Sequence, residues 1–473
     1  MKGLLKKLLS SNNFLSLANN GLVAVFAFLS FILLVRMVPQ ETFGEWILFI
    51  TASNFLDMLR FGITRTAIIR FLSGANENEE KKLIGSNNFI NLISTAGLAF
   101  ITFIIYITYR DSLKDSGFLM FFQWYPVLAF FTLTFNNAQS ILQAQMKFDK
   151  MLWLRMINVG SFMIFLLVNL YFAFDIQIIL LVYLITNFVS SLFASFNNWD
   201  GIKYTFLFDR KTNRTVLDFG KYTTGTLIGS NLLKSSDTFI IGLSPFLGTL
   251  GVALYSIPLK LTEIIEIPLR SFTATAFPEM SRASLAKNYD EVKSVFYKNA
   301  GGMTLLMIPV MVVSFVFAEE FVTILGGKDY AITANIFRMF CIYGMLLPFD
   351  RFIGVGLDSI NQPNRNFMKV VVMASANIIG DLIAVFGMSF IIKAFSWIIL
   401  LFFSLPPDDA YKIAHAFSLI KTLEMVAFVT IIFTLIGIGL GYYYLDGELK
   451  LSKKAIFVEG FKYLKNFGAL IKR

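Results

Sequence analysis

Charged side chains in the middle of an apolar stretch are the first sign of chemistry in this sequence. Residues 52–71 are long enough to cross a bilayer, and they contain Asp57, Arg60 and Arg65 within an otherwise apolar run. A charged group near the centre of a bilayer costs about 2.5–3.5 kcal/mol on insertion scales, so it normally faces a water-filled cavity or a partner. Asp57 and Arg60 can pair across one helical turn. Arg65 lies about 140° round the helix from Arg60 and can serve the inner membrane surface instead.

A second charged stretch, residues 259–282, occupies a similar place in the second half of the chain. On a helix its charged residues fall within an arc of roughly 120° and form one polar stripe. They are Lys260, Glu263, Glu266 and Arg270. Such a stripe on a membrane helix should line a cavity, and the alternative is a self-neutralising set buried between helices. Charged helices in matching places of two halves are typical of transporters built from a structural repeat.

Oxygen-bearing side chains lie at mid-membrane depth on two other predicted helices. Lys234 and Asp237 lie three residues apart in a weakly apolar stretch, and Asn377 and Asp381 lie four residues apart on one face of a later helix. Oxygen ligands from two helices at similar depth suit a Na⁺ or proton site. The alternative for Asp381 is a carboxyl group that is kept neutral or capped by a hydroxyl.

The composition places most of the protein surface in lipid. Of the 473 residues, 56% are hydrophobic and 15% are charged, whereas a soluble domain is about 25% charged. The one cysteine excludes an internal disulfide and a thiolate metal cluster. No run of basic residues interleaves with aromatic ones on a polar background, so nucleic acid is not an expected partner. We expect a transporter rather than an enzyme, with no catalytic residues and no organic cofactor.

Apolar stretches that can cross about 30 Å of hydrocarbon recur along the chain. We predict twelve transmembrane helices, at residues 14–38, 45–70, 86–109, 118–145, 152–174, 176–200, 217–243, 248–277, 294–318, 331–357, 366–392 and 414–445. With this count most lysines and arginines of the connections fall on one side, which places both termini in the cytoplasm. The apolar segment 396–405 is too short to cross, so we expect a re-entrant or interfacial excursion at 393–413.

The predicted fold is an all-α integral membrane protein with two six-helix lobes around a central cavity. The lobes comprise residues 14–200 and 217–445, and a cytoplasmic linker at 201–216 joins them. A basic interfacial helix at 1–13 precedes the lobes, and a basic amphipathic cytoplasmic tail at 446–473 follows them.

Several motifs resemble those of a known family. The pattern LDMLRFGITRTAIIRFL in the second predicted helix, YSIPLKLTEIIEIPL in the eighth and FPEMSR near its end are similar to the polysaccharide flippases, O-antigen flippases among them, of the MOP (MATE-like) superfamily. The resemblance covers residues 14–445. It implies a flippase of the bacterial inner membrane that moves undecaprenyl-pyrophosphate-linked oligosaccharide repeat units from the cytoplasmic to the outer leaflet by alternating access.

The resemblance also implies roles for the charged residues of the two stretches. The implied pyrophosphate-binding cations are Arg60, Lys260, Arg270 and Lys234. The acids that share their cavity are Asp57, Glu263 and Glu266. The cationic-cavity assignment predicts that Arg60→Ala or Lys260→Ala abolishes export while leaving the protein inserted.

A coupling-ion site is implied as well. The related lipid II flippases hold Na⁺ between helices seven and eleven, and Asp237, Asn377 and Asp381 match that pattern, so Na⁺ or H⁺ is the expected coupling ion. The chain departs from the lipid II flippases in its first helix, which carries Asn19 and Asn20 but no central arginine, and it lacks their two extra C-terminal helices. Both departures favour an O-antigen, capsule or exopolysaccharide unit over lipid II.

Three alternatives stay open at this point. A MATE-type cation or drug antiporter should carry uncompensated acids in its cavity, whereas basic residues accompany the acids here. A membrane glycan polymerase, ligase or acyltransferase should carry a sizeable outer loop or a mid-membrane histidine, and a non-transporting scaffold would not need so many buried charges. The expected partners are a lipid-linked oligosaccharide, membrane lipids, a polysaccharide polymerase and a chain-length regulator.

Overall fold

The computed structural model describes residues 12–72, 75–403 and 407–471, and most of these residues are helical. The chain divides into two compact units, Met1–Asn231 and Leu232–Arg473. The first unit contains α1 (Asn12–Met37), α2 (Gln40–Leu72), α3 (Glu77–Asp115), α4 (Leu119–Phe131), α5 (Leu133–Ala144), α6 (Phe148–Arg155), α7 (Ser161–Phe172) and α8 (Ile176–Phe196). A π-helical turn, Met156–Gly160, joins α6 to α7.

The boundary between the units falls within α9 (Arg210–Gly242). The second unit continues with α10 (Gly248–Leu285), α11 (Tyr289–Phe296), α12 (Gly302–Val316), α13 (Ala318–Gly326), α14 (Ala334–Ser359), α15 (Pro363–Phe403), α16 (Pro407–Leu449) and α17 (Lys453–Ile471). A second π-helical turn, Tyr297–Gly301, joins α11 to α12.

The outer faces of these helices are apolar. Phe100, Ile107 and Ile164 are 63%, 62% and 62% exposed, and exposure of such side chains to water is unfavourable by about 25 cal/mol per Å². Among the described residues, eight helical segments are long and apolar enough to cross a membrane. The protein is therefore a multi-pass integral membrane protein.

The predicted spans can be compared with the helices. Each of the twelve predicted spans overlaps one helix or several consecutive helices, and the part of the chain that the structure describes contains no strand. The all-α membrane class is thus confirmed, while twelve crossings, a central cavity and cytoplasmic termini stay predictions. Most of the predicted helix at 1–13 lies outside the described residues. The predicted tail contains α17.

Helical structure extends further than predicted in two places. In the predicted linker, the chain makes a short 3₁₀ turn at Ile202–Tyr204 and is helical again from Arg210. The side chain of Asp209 accepts a 2.7 Å hydrogen bond from the backbone N–H of Thr212, which caps α9 and holds the pKa of the Asp209 carboxyl below its usual value. In the predicted excursion, α15 continues to Phe403 because no glycine or proline interrupts residues 388–403.

Glycines bring α15 and α16 close together. A Cβ atom at Gly380 would lie 2.5 Å from a side-chain methyl of Val429, and one at Gly437 would overlap the Met373 side chain. Only glycine therefore permits this approach, since an added methyl group would force the helices apart. The close packing fixes the height and rotation of the α15 face that bears Asp381.

Candidate anion and cation sites

One carboxylate of the second unit gathers three cationic side chains, and we call this group the Glu266 cluster (Glu266, Lys234, Arg270 and Arg351). Glu266 Oε2 lies 3.0 Å from Arg270 Nη2, 3.6 Å from Arg351 Nη2 and 4.0 Å from Lys234 Nζ. The cations belong to three different helices, α10, α14 and α9. Since three cations share one carboxylate, positive charge exceeds negative charge within the cluster.

The cations of the Glu266 cluster remain accessible. The side chains of Lys234, Arg270 and Arg351 are 50%, 61% and 41% exposed, whereas that of Glu266 is 10% exposed. The carboxylate thus holds the cations in place from the buried side and leaves other N–H donors available. Guanidinium groups bind phosphate oxygens in a bidentate fashion, so the cluster is suited to a multivalent phosphate-type anion.

The other predicted residues of α10 form a separate pair. Lys260 Nζ lies 2.8 Å from Glu263 Oε2, three residues further along the helix. Glu263 offsets the charge of Lys260 locally, but its side chain is 53% exposed, so this pair is not the set buried between helices that the alternative describes. Of the predicted pyrophosphate-binding residues, the structure therefore brings together Lys234 and Arg270.

Sequence reasoning missed Arg351. Neighbouring opposite charges such as Asp350 and Arg351 suggest a local pair, but consecutive residues of a helix do not face each other. Instead, Asp350 Oδ1 pairs with Lys369 Nζ of α15 at 2.8 Å, where both residues are buried, and Arg351 contacts Glu266. The helical period shows that the two charges need different partners, but it does not show which helices supply them.

Asp237, Asn377 and Asp381, which we call the Asp237 site, lie together in the second unit. The Asn377 amide of α15 donates hydrogen bonds to Asp237 Oδ1 at 2.7 Å and to Ser236 Oγ at 2.9 Å on α9. The Tyr255 hydroxyl of α10 donates to Asp237 Oδ2 at 2.7 Å. Asp381 follows Asn377 by one turn of α15, so the two residues share one face of that helix. The structure therefore brings together the predicted residues of α9 and α15, while their role as an ion site stays a prediction.

Several oxygens of the Asp237 site lack partners. Asn377 Oδ1 and both carboxylate oxygens of Asp381 are buried and accept no hydrogen bond from the described residues. Asn377 and Asp381 are fully buried, and Met373, one turn before Asn377 on α15, packs against the apolar side chains of Val429 and Phe433 of α16. A buried, unpaired carboxylate is strongly unfavourable. A proton or a hard cation with a preference for oxygen ligands would satisfy these atoms.

Arg60 of the first unit is enclosed by acceptors. Arg60 as a whole residue is only 1% exposed. Its hydrogen-bond acceptors are Asp57 Oδ1 at 3.0 Å, Thr95 Oγ1 at 3.0 Å, the Ala129 carbonyl and Thr132 Oγ1. Arg60 Nη2 also lies 2.9 Å from Asp57 Oδ1, so acceptors and a carboxylate surround the guanidinium group. The predicted pairing of Asp57 with Arg60 is confirmed. The pyrophosphate role of Arg60 stays a prediction, and its contacts favour a structural role.

A model of the family described as "Polysaccharide biosynthesis protein" matches residues 33–335, well over half of the chain. The chain belongs to the polysaccharide biosynthesis protein family. The chain is similar to a curated relative, the probable low-salt glycan biosynthesis flippase Agl15 of Haloferax volcanii, with 25% identity over 175 residues. The match spans 37% of this chain and 37% of that relative, so it covers well under two thirds of the relative's length.

Solved structures show the fold of this family member. An inward-facing multidrug resistance MATE family transporter of the MOP superfamily has a TM-score of 0.69 and 14% identity, covering 90% of this chain and 95% of its own. The lipid II flippase MurJ, in an inward closed conformation, has a TM-score of 0.67 and 14% identity, covering 95% of this chain and 90% of its own. The resemblance to the MOP superfamily is therefore confirmed for the fold, which is what a likeness at this identity establishes.

Proposed function

We propose that this protein is a flippase that carries undecaprenyl-pyrophosphate-linked oligosaccharide repeat units of O-antigen, capsule or exopolysaccharide across the bacterial inner membrane. Family membership and the MOP superfamily fold support transport of a glycan precursor. The observation that carries the proposal is the excess of cations in the Glu266 cluster, because a pump for lipophilic cations would be expected to present uncompensated acids instead.

The chemistry of the cluster suits the pyrophosphate group. An unpaired dianion cannot enter hydrocarbon, but Arg270 and Arg351 can each donate two parallel hydrogen bonds to phosphate oxygens while Lys234 supplies a point charge. In this proposal the oligosaccharide lies in a polar cavity and the prenyl tail stays in lipid. The protein supplies binding and alternating access, and no covalent step is needed.

The Asp237 site is proposed to bind the coupling cation. Asp237, Asn377 and Asp381 would hold Na⁺ through carboxylate and amide oxygens, which are the ligands that hard cations prefer. This assignment is supported by the unpaired oxygens of Asn377 and Asp381. A cation bound there neutralises buried charge, and it shifts a conformational equilibrium only if it binds one conformation more tightly than the other.

The leaflet distribution of prenyl-pyrophosphate oligosaccharides in cells with and without the protein tests the proposal. Accumulation of complete repeat units on the cytoplasmic leaflet after deletion is the expected result, and their sugars would identify the substrate. An unchanged distribution together with increased sensitivity to cationic dyes would instead favour a drug antiporter. Outer-leaflet accumulation of unpolymerised units would favour a polymerase or a ligase.

A further inference from the structure

A buried ion pair adjoins the Glu266 cluster through the residue that precedes Arg351 on α14. Lys369 Nζ of α15 lies 2.8 Å from Asp350 Oδ1, and it also donates a 3.2 Å hydrogen bond to the Asp350 backbone carbonyl. Lys369 and Asp350 are 3% and 8% exposed. The next residue along α14 is Arg351, which contacts Glu266. One lysine therefore holds both the side chain and the backbone of the residue before a cation of the cluster.

A glycine of α16 makes room for this lysine. A Cβ atom at Gly441 would lie 2.8 Å from Lys369 Cδ and 2.6 Å from a side-chain methyl of Ile353. Since these distances are shorter than van der Waals contact, any larger residue at position 441 would displace the lysine side chain. The Lys369 side chain therefore packs between α14 and α16, with its ammonium group at Asp350.

The ion pair decides which partner Arg351 takes. Consecutive residues of a helix point about 100° apart, and with Lys369 in place Asp350 faces α15 while Arg351 reaches Glu266 of α10. Without Lys369, Asp350 would be a buried carboxylate that has lost its cation, which is strongly unfavourable. To supply another cation, α14 would have to rotate or the long Arg351 side chain would have to bend back. Either movement takes Arg351 away from Glu266.

We propose that Lys369 is a positioning residue for the anion site of the Glu266 cluster. It acts through Arg351 rather than by contact with the anion. Lys369 neutralises Asp350 and fixes the rotation of α14, so that the Arg351 guanidinium group stays directed at Glu266 and can bind phosphate oxygens. This inference rests on the proposed function, because it concerns the same cluster, and it assigns part of the pyrophosphate affinity to a buried residue of α15.

Titration of inorganic pyrophosphate into the purified full-length protein in phosphatidylcholine nanodiscs, followed by calorimetry, tests this role. Lys369→Met should weaken binding by about tenfold, close to the effect of Arg351→Gln. In a protein that already carries Arg351→Gln, the same change should alter the affinity by less than about twofold. Asp350→Asn combined with Lys369→Met removes the unpaired carboxylate, so it should restore the affinity to within about threefold of the wild type.

A matched control lies one turn earlier on α15. Arg365 pairs with Glu448 at 3.0 Å, so Arg365→Gln should leave the affinity within about twofold of the wild type. Gly441→Ala keeps every charge but displaces the Lys369 side chain, and it should weaken binding only when Arg351 is present. This variant replaces Lys369→Met if thermal unfolding shows that Lys369→Met does not fold.

The outcomes separate this inference from the proposed function. If Arg351→Gln weakens binding but Lys369→Met and Gly441→Ala do not, the inference is overturned and the anion site stands. An equal loss from Lys369→Met with and without Arg351→Gln would also overturn it, because a general electrostatic or structural effect does not depend on Arg351. A wild type that does not bind pyrophosphate would overturn the proposed function, and this inference with it.

Discussion

Replacement of Arg351 by glutamine removes one of the three cations around Glu266. Two unit charges about 4 Å apart interact by about 1 kcal/mol in water and by about 4 kcal/mol at an effective dielectric constant near 20. The Arg351 side chain is 41% exposed, so its environment lies between these limits. We therefore expect pyrophosphate binding to lose about 1.5–3 kcal/mol, which corresponds to a roughly ten- to hundredfold weaker affinity.

The charge argument also predicts an effect of opposite sign. Glu266→Gln removes the acid that offsets the three cations, so it should strengthen pyrophosphate binding by a similar factor. Both affinities can be measured by calorimetric titration of inorganic pyrophosphate at fixed ionic strength, because salt screens exposed charges. Thermal unfolding of each variant shows whether it remains folded.

A matched control lies on the same helix. Arg338 of α14 donates to Asn335 Oδ1 at 2.6 Å and lies outside the Glu266 cluster, so Arg338→Gln should leave pyrophosphate affinity within about twofold of the wild type, as a remote surface charge does. Equal affinities of wild type and Arg351→Gln would refute the electrostatic reasoning. So would a loss of affinity in a folded Glu266→Gln protein.

Three further predictions concern other parts of the molecule. Asp381→Asn should abolish most of the stabilisation by Na⁺, which in the wild type is about 2.7 kcal/mol when the Na⁺ concentration is a hundred times the dissociation constant. Melting temperatures in NaCl and in choline chloride measure this effect, and Asp358→Asn is the control. Equal Na⁺ effects in the wild type and in Asp381→Asn would contradict the prediction. Arg60→Gln leaves Asp57 without its buried partner and should reduce the free energy of unfolding by about 3 kcal/mol. The pyrophosphate affinity of the folded fraction should stay unchanged. A folded variant that no longer binds pyrophosphate would instead support the binding role predicted for Arg60. Gly460→Leu places side-chain atoms against the Gly301 backbone and should loosen α17, which faster hydrogen exchange of Lys453–Ile471 would show. Gly447→Leu is the control and should leave this exchange unchanged, because a Cβ atom at Gly447 meets no atom within 4 Å. Equal exchange in the two variants would count against this packing.

The parts of the fold that follow from local patterns could be predicted from the sequence. Long apolar stretches define membrane helices because hydrocarbon cannot satisfy free backbone groups. Ion pairs within one helix follow from its period, as the contacts of Arg60 with Asp57 and of Arg270 with Glu266 show. The proximity of Asn377 to Asp237 followed from their similar depth together with the family resemblance.

Contacts between helices could not be predicted in the same way. Arg351 reaches Glu266 only because α14 and α10 are adjacent, and the sequence contains no rule for that adjacency. Arg65 of α2 and Arg155 of α6 each donate to a glutamine of α5, and the sequence alone does not show that these three helices are adjacent. The contacts of Arg60 could not be predicted either. The family resemblance implied that Arg60 binds pyrophosphate, but three acceptors, from α3, α4 and the residue between α4 and α5, surround its side chain.

Translocation by the purified protein in proteoliposomes tests the central claim most directly. A prenyl-pyrophosphate oligosaccharide is placed in one leaflet, and its arrival in the other is followed with an impermeant glycan-cleaving enzyme. We predict translocation well above that of protein-free liposomes, a lower rate for Arg351→Gln and an unchanged rate for Arg338→Gln. Translocation no faster than in protein-free liposomes, or equal rates for a lipid-linked glycan that lacks the pyrophosphate, would contradict the account.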